Sequence, residues 1–455
     1  MSVPAYPAFK DSGVEWIEAV PNDWEVRRIG DLCVKIGSGK TPTGGADVYV
    51  PDGVLFLRSQ NVYDDGLRLD DVAYISPGTD AAMASTRVLP GDILPNITGA
   101  SLGRTCVVPE NIGTANVNQH VCIIRVRDQR MVGYLSMAMK SPLMKAQINA
   151  AQNGAAREGL NFQQLARLAV PLPPIPDQAA IATFLDRETA RIDALVAEQE
   201  RLIALVKEKR LAVISHAVTK GLNPKPPMKD SGVEWIGAIP ASWQVGRIKY
   251  YCREITDGAH ISPETEEGLY DFVSTRDLTE DGIDFDGCLK TSAITYEYMV
   301  RTGCRPSAGD ILFSKDGTIG RTELVVDDRA FVVASSLIII RPNASLVLSS
   351  YLYWLMQSSV VVNQVECFVK GAGLPRLSIQ NLMRIVGPLP PQHEQAEIAS
   401  SLATYAGRFR NMLEVSRRAI ELLRERRVAL ILAVVTGKID VRNLDNVPEV
   451  DAAAA

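Results

Sequence analysis

The feature that most constrains this chain is a repeat: one unit is written twice within 455 residues. Lys10 to Cys33 reads KDSGVEWIEAVPNDWEVRRIGDLC and Lys229 to Cys252 reads KDSGVEWIGAIPASWQVGRIKYYC, with 15 of 24 positions identical and no gap. GDILPNITGASLGRT (Gly91 to Thr105) faces GDILFSKDGTIGRT (Gly309 to Thr322). PLPP at Pro171 faces PLPP at Pro388, and that match runs ungapped to VTKG at Val218 and VTGK at Val435. A repeat of this kind fixes the architecture before any single element is read, because the fold must be built as two copies of one unit. Between the anchors the halves diverge, so each copy keeps a scaffold and varies its middle.

Within the first copy, runs such as VLFLRSQNV (Val54 to Val62) and HVCIIRVR (His120 to Arg127) alternate with turn clusters such as SPGTD and LPGD, which predicts a strand-rich domain. The second copy has the same texture in YDFVSTRDL (Tyr270 to Leu278) and SSLIIIRP (Ser335 to Pro342). A short helix is predicted at 132–151 and again at 348–366. Trp16 and Trp24, mirrored by Trp235 and Trp243, read as packing anchors of an otherwise exposed leading segment. Proline then stands ahead of a helix, where its missing N–H costs nothing.

From Gln178 to about Val218 no Pro or Gly occurs, and Ile181, Leu185, Ile192, Leu195, Leu202, Val206 and Val213 follow a spacing close to 3.5 residues. The twin, Gln395 to about Val435, carries Ile398, Leu402, Tyr405, Phe409, Met412, Leu423 and Leu430 on the matching stripe. About 40 residues make a rod of roughly 60 Å, whose apolar stripe needs a partner. Either the two rods pair with each other, antiparallel because a domain lies between them, or each lies on its own domain. NPKPP (Asn223 to Pro227) reads as the linker between copies.

No stretch approaches the roughly 18 apolar residues of a membrane span, and no basic start is followed by an apolar run, so a soluble, cytoplasmic protein is expected. Seven cysteines without a CxxC pair and four scattered histidines argue against a disulfide framework and a zinc site. The net charge of −5 implies that, if the chain holds DNA, partners supply much of the phosphate contact.

GSGKT at Gly37 to Thr41 invites a phosphate-binding loop, but the first glycine of that pattern falls on Val34, and the second copy has ITDGAH. A glycine loop able to approach a ligand backbone is the reading kept. No Asn/Asp-Pro-Pro-aromatic tetrapeptide, no nuclease-like set of carboxylates with lysine, and no repeated Ser/His/Asp or Cys/His arrangement occurs. What recurs is polar and basic: Arg104 and Arg321, and Arg58-Ser59-Gln60-Asn61 against Ser274-Thr275-Arg276-Asp277. Arg, Asn and Gln reach base edges in two-pronged fashion, whereas Ser and Thr suit phosphates.

These anchors together, KDSGVEWIG-x-IP-x-x-W, GDIL with its following GR, PLPP-x-x-x-Q and the long helices, resemble the specificity subunit of type I restriction-modification enzymes over nearly the whole chain. The resemblance implies an α+β fold: two strand-rich α/β target-recognition domains joined by two long helices that form an antiparallel coiled coil, with an internal pseudo-two-fold repeat. It places recognition domains at 1–176 and 222–393, conserved helices at 177–221 and 394–443, and a flexible tail at 444–455. It implies a non-catalytic subunit that reads a split double-stranded DNA sequence and scaffolds two methyltransferase (M) subunits and the motor-nuclease restriction (R) subunits. S-adenosylmethionine, ATP and Mg2+ would belong to those partners, which methylate adenine and cut DNA, and this chain would hold no cofactor or metal. The constant parts, the KDSGVEW segment and the long helices, would dock identical partners.

Residues expected at the DNA are Ser38, Lys40, Thr41, Arg58, Ser59, Gln60, Asn61, Arg104 and Arg157 in the first copy. In the second they are His260, Thr275, Arg276, Lys315, Arg321, Lys370 and Arg376. Pro95 to Thr98 and Phe313 to Asp316 differ, with one residue more before GR in the first copy, so the two loops should differ in conformation. Two competing readings remain: a scaffold that organises proteins without reading DNA, and a self-contained enzyme whose motifs are missing.

Overall fold

The apolar runs build the same sheets in both copies. The computed structural model describes residues 5–152, 159–260, 268–280, 282–369 and 375–442, and it divides into two compact units, 1–198 with 418–455 and 199–417. Arg157, Lys370 and the expected tail at 444–455 lie outside the described residues.

In the first unit a four-stranded antiparallel sheet runs in the order Thr105–Val107, Ile93–Pro95, Cys122–Val126, Cys33–Ser38. A second sheet has the order Ala115–Val117, Val54–Leu57, Ala73–Ile75, Tyr49–Val50, its first pair parallel. Among the described residues the second unit repeats the first sheet strand for strand and three of the four strands of the second. Its sheets run Cys252–Asp257, Leu337–Pro342, Ile311–Ser314, Thr322–Leu324, and Leu289–Thr291, Tyr270–Val273, Phe331–Val333, the last pair parallel. Leu337 to Ile340 are fully buried, as a central strand covered on both faces requires.

Two expectations need correcting in detail. RSQN and STRD are not strand: each strand stops at Leu57 or Val273, and Ser59–Asn61 and Thr275–Asp277 wind into a single 3-10 turn. Each predicted short helix is a pair of helices, Val132–Lys140 with Pro142–Gln152, and Ser349–Met356 with Ser359–Val369. Pro142 lacks the N–H that a continuous helix would use, and the Ser141 hydroxyl turns back onto Ala138 O.

The tryptophan pairs split as well. Trp24 and Trp243 are fully buried, while Trp16 and Trp235 are 47% and 55% exposed. Other repeated residues serve the scaffold. Gln147 grips both the N–H and the C=O of Ala169, and Gln364 grips Val386 in the same way. Tyr134 donates to Pro171 O and Tyr351 to Pro388 O. Gln178 and Gln395, the glutamines of PLPP-x-x-x-Q, donate back to Pro173 O and Pro390 O at 2.7 and 2.8 Å. Each thereby ties the proline run to the first turn of its long helix.

Those helices are Ile175–Lys220 and Gln392–Val435. In the first unit Asp193 pairs with Arg427 at 2.9 Å and Asp177 faces Arg442 at 3.8 Å, so one chain descends as the other rises. In the second unit Val206 clusters with Phe409 and Leu413, and the end of the first helix at Gly221 meets Glu394. Both units thus contain an antiparallel helix pair. Ile181, Leu185, Ile192 and Val206 are buried, but Leu195, Leu202, Tyr405 and Met412 on the expected stripe are exposed. A straight helix of 3.6 residues per turn drifts off a 3.5-residue stripe. Among the described residues no helix is long and apolar enough to cross a membrane.

Candidate nucleic-acid interface

The parallel strand pair decides what gathers at one edge of the first unit. Leu57 stands opposite Val117, so both strands leave the sheet side by side, and Asn118 N donates to Leu57 O at 3.0 Å. One continues as Arg58 to Asn61, the other as Gln119 and His120. The strand Cys33–Ser38 brings a third segment there, with Gly39 N donating to Val121 O. A Cβ on Gly39 would lie 1.6 Å from Val117 O. Only glycine lets this loop cross its neighbour, so the glycine expected to approach a ligand serves a backbone crossing instead.

Asn96 to Thr98 close the rim: Asn96 Nδ2 donates to Ser59 O at 2.8 Å. A run of side-chain hydrogen bonds then links three loops. Thr41 donates to Gln119 Oε1, and Gln119 Nε2 donates to His120 Nε2 at 3.0 Å. That leaves His120 Nδ1 to donate to Thr98 Oγ1 at 2.6 Å. Lys40, Thr41 and Gln119 are exposed.

The second unit brings the same positions together. Val273 stands opposite Val333, Ala334 N donates to Val273 O at 2.8 Å, and a Cβ on Gly258 would lie 2.1 Å from Ala334 O. Backbone bonds set the correspondence residue by residue. Ile97 N donates to His120 O and Ile97 O accepts from Leu160 N; Lys315 N donates to Ser336 O and Lys315 O accepts from Leu377 N. Ser38, Ile97 and His120 therefore answer to Asp257, Lys315 and Ser336.

Chemistry differs where backbone does not. Lys315, only 4% exposed, pairs with Asp257, whose carboxylate also meets His260 Nε2 at 2.9 Å. Burial pushes the Asp257 carboxyl up, but the bonds from Lys315 and His260 outweigh it and hold the group below its ordinary range.

The candidates separate by burial and partners. Asn61 is 2% exposed, accepts Arg58 N at 2.9 Å and donates to Arg68 O and Asp71 O. Its amide is spent on closing the turn, so Asn61 leaves the set of DNA contacts, and Lys315 leaves it because a buried, paired ammonium has no free face. Ser59 holds Asn96 through its carbonyl, and the Ser38 hydroxyl donates to Gly39 O at 3.2 Å.

Others sit at the surface. Arg58 donates to Asp71 O at 3.1 Å and Gln60 to Asp71 Oδ2 at 2.7 Å. Arg104 lies over the Tyr63 ring at 4.8 Å, with Arg68 at 3.6 Å from the same ring. Thr275 donates to Ser336 O at 3.1 Å, Arg276 pairs with Asp277 at 3.2 Å, Arg321 donates to Leu278 O at 2.6 Å, and Arg376 faces Asp316 at 3.7 Å. Sequence reasoning missed Thr98, Gln119, His120, Asp257 and Ser336. Gln119, His120 and Ser336 arrive through the parallel pairing, and Thr98 and Asp257 through antiparallel partners far away in the sequence, neither of which leaves a short-range mark. Among the described residues no group of three His, Cys, Asp or Glu side chains is placed to hold a metal ion.

A sequence model described as "Type I restriction modification DNA specificity domain" matches residues 21–203 and 240–415. The chain belongs to this family. It is a type I restriction-modification specificity subunit, and DNA target recognition is the work of the family. It is similar to the type I restriction enzyme EcoBI specificity subunit of Escherichia coli, 25% identical over 377 residues that cover 77% of this chain and 75% of that one. It is also similar to the MjaVIII specificity subunit of Methanocaldococcus jannaschii, 22% identical with 94% and 95% covered. A solved chain of a type I R-M system, described for its complex assembly and conformational transition, shares the fold with a TM-score of 0.63 at 16% identity, covering 91% of this chain and 98% of that one. DNA and the modification and restriction subunits of such a complex are the partners the family implies.

Proposed function

We propose that the two units read the two halves of a split DNA target, and that their shared scaffold seats two copies of a methyltransferase subunit together with the restriction subunits. The observation that carries this reading is the pair of rims: one backbone arrangement, built twice, bearing different side chains at matching positions. A single reader presented twice would bind two like half-sites. Two rims whose outward positions differ, Thr41 against His260, Gln60 against Arg276 and Gln119 against Ser335, suit unlike ones.

On this reading residues 1–176 and 222–393 hold the recognition domains, 177–221 and 394–443 connect them, and the long helices with the KDSGVEW segments dock the partners. Arg58, Gln60, Arg104, Lys40, Thr41 and Gln119 contact one half-site, and His260, Thr275, Arg276, Arg321 and Arg376 the other, with Ser38 and Ser59 set behind them. The chain itself performs no chemistry. Methyl transfer to adenine with S-adenosylmethionine, and ATP- and Mg2+-dependent cutting, belong to the partners.

Mapping methylated adenines across the genome with and without this gene tests the proposal. A two-part motif should vanish in the deletion and return with the gene. A motif that persists, or one that is continuous, overturns it.

A further inference from the structure

On the rim of the first unit a relay of side chains exists that the backbone does not require. Thr41 donates to Gln119 Oε1, Gln119 Nε2 donates to His120 Nε2 at 3.0 Å, and His120 Nδ1 donates to Thr98 Oγ1 at 2.6 Å. The second unit builds the same crossing without it. Gly258 N donates to Leu337 O as Gly39 N does to Val121 O, so Thr41, Gln119 and His120 stand where His260, Ser335 and Ser336 stand in the second copy. There His260 turns to Asp257 and Ser336 holds Thr275, and among the described residues no side-chain bond joins the three positions. A relay that one copy has and the other lacks is not part of the shared scaffold.

Nor is stability its main effect. Thr41 and Gln119 are exposed, water competes for their hydrogen bonds, and ordering a glutamine costs side-chain entropy. The effect is orientation. A primary amide offers two lone pairs on oxygen and two hydrogens on nitrogen. Thr41 takes one lone pair and His120 one hydrogen, so the relay fixes which end of the amide is oxygen. One acceptor and one donor remain, side by side, with no partner among the described residues. Of the four bases only adenine presents a donor beside an acceptor on its own major-groove edge, N6–H next to N7. Lys40, adjacent to Thr41, is exposed and has no ion-pair partner among the described residues, which leaves it able to hold a phosphate while the amide reads.

We propose that Gln119 reads the adenine of an A·T pair in the half-site of the first unit, with Thr41 and His120 as positioning residues that hold its amide in the adenine-reading sense; this rests on the reading that the rim meets DNA. The adenine is not the one that is methylated, because an enzyme acting on a base takes it out of the stack and away from the groove. Holding the amide before DNA arrives removes an ordering cost from binding, and it selects one of the two faces that a freely turning glutamine would offer. Ser335, at the equivalent position of the second unit, has no amide, so the second half-site needs no adenine at the matching place.

The test maps methylated adenines in a host carrying the full chain and the methyltransferase encoded with it, and reads which bases each position of the motif tolerates. Wild type should show, in one half, an A·T pair that is not itself methylated. Gln119→Ala should lose roughly tenfold to a hundredfold of the discrimination at that pair and leave the other half unchanged. Gln119→Glu, which offers only acceptors, should move the preference there toward cytosine, a change of identity that no loss of fold produces. Thr41→Val with His120→Leu, which frees the amide, should weaken discrimination at the same pair, and His120→Gln, which keeps an acceptor facing Gln119, should retain it. Unchanged melting of the isolated variants checks that the fold survives. Full discrimination in Gln119→Ala, relaxation at a G·C pair, or a loss spread evenly over all positions overturns the proposal. Wild-type discrimination in the Thr41, His120 double variant overturns the positioning role. A wild-type chain that directs no two-part methylation instead overturns the reading on which the proposal rests.

Discussion

At one buried position of the rim the first unit has Ile97, with Ser38 at the position equivalent to Asp257, whereas the second unit pairs Lys315 with Asp257, on backbones whose hydrogen bonds match. The two solutions carry different risks. An apolar residue and a hydroxyl leave no buried charge to satisfy, whereas the ion pair is tolerated only while both partners are present. The comparison teaches that the scaffold specifies positions and leaves chemistry open, which a protein that changes its target by changing side chains requires.

The sharpest way to break that comparison is to give the second unit the residues of the first. Lys315→Ile alone strands the Asp257 carboxylate with only His260 and should cost ~3 kcal/mol. Adding Asp257→Ser should recover most of the loss, because replacing both members of a buried pair is close to neutral. Scanning calorimetry of the full chain reads both, and equal destabilisation by the single and double variants would show that the rims are not interchangeable. The pair also predicts a pH dependence. Asp257 is held below its ordinary value, so its contribution is present above the unfolded carboxylate value of about 4 and is lost as pH falls through the lower folded value. The double variant should lack that acid-sensitive component.

Next in size is a contrast within one rim. Asn61→Ala removes the amide that closes the 3-10 turn and should lower stability by about 1 to 3 kcal/mol. Gln119→Ala removes an exposed amide and should leave melting unchanged while weakening DNA binding by about 1 to 3 kcal/mol and relaxing one half of the methylated motif. If both variants behave alike, burial is the wrong criterion for sorting rim residues. Arg104→Ala and Arg321→Ala extend the contrast across units: each should relax one half-site only, and uniform weakening across sequences would assign both to phosphate.

Much of the fold was legible because its signals are local. The repeat, the proline run, the glutamine that ties it to the helix and the long apolar period all sit within a few residues of the structure they specify. The rim was half legible. Arg58 to Asn61 stood out as a polar run, but its partners Gln119 and His120 arrive by a parallel pairing of Leu57 with Val117, and such pairings leave no short-range mark. Burial was equally silent: nothing in RSQN says that Asn61 turns inward while Gln60 stays outside. Trp16 and Trp24 look alike in sequence, yet one stands exposed in the tip between the paired strands and the other is fully buried beyond them.

The smallest expected effect concerns a place where the copies should agree and do not. In the second unit the buried Trp243 Nε1 donates to Glu394 Oε2 at 2.9 Å. In the first, Trp24 Nε1 and Asp177 Oδ2 both lack a hydrogen-bond partner among the described residues, at the same positions of the repeat. Aspartate is one methylene shorter, which accounts for the gap, and burial pushes the Asp177 carboxyl above its ordinary value. Asp177→Glu should therefore let the first unit form the bond that the second already has and raise stability by about 1 kcal/mol at neutral pH. The reverse change, Glu394→Asp, should cost the second unit a similar amount. Because the new bond uses the ionised carboxylate, the gain should fade as the solution is acidified, and a gain independent of pH would mean that packing of the longer side chain is responsible.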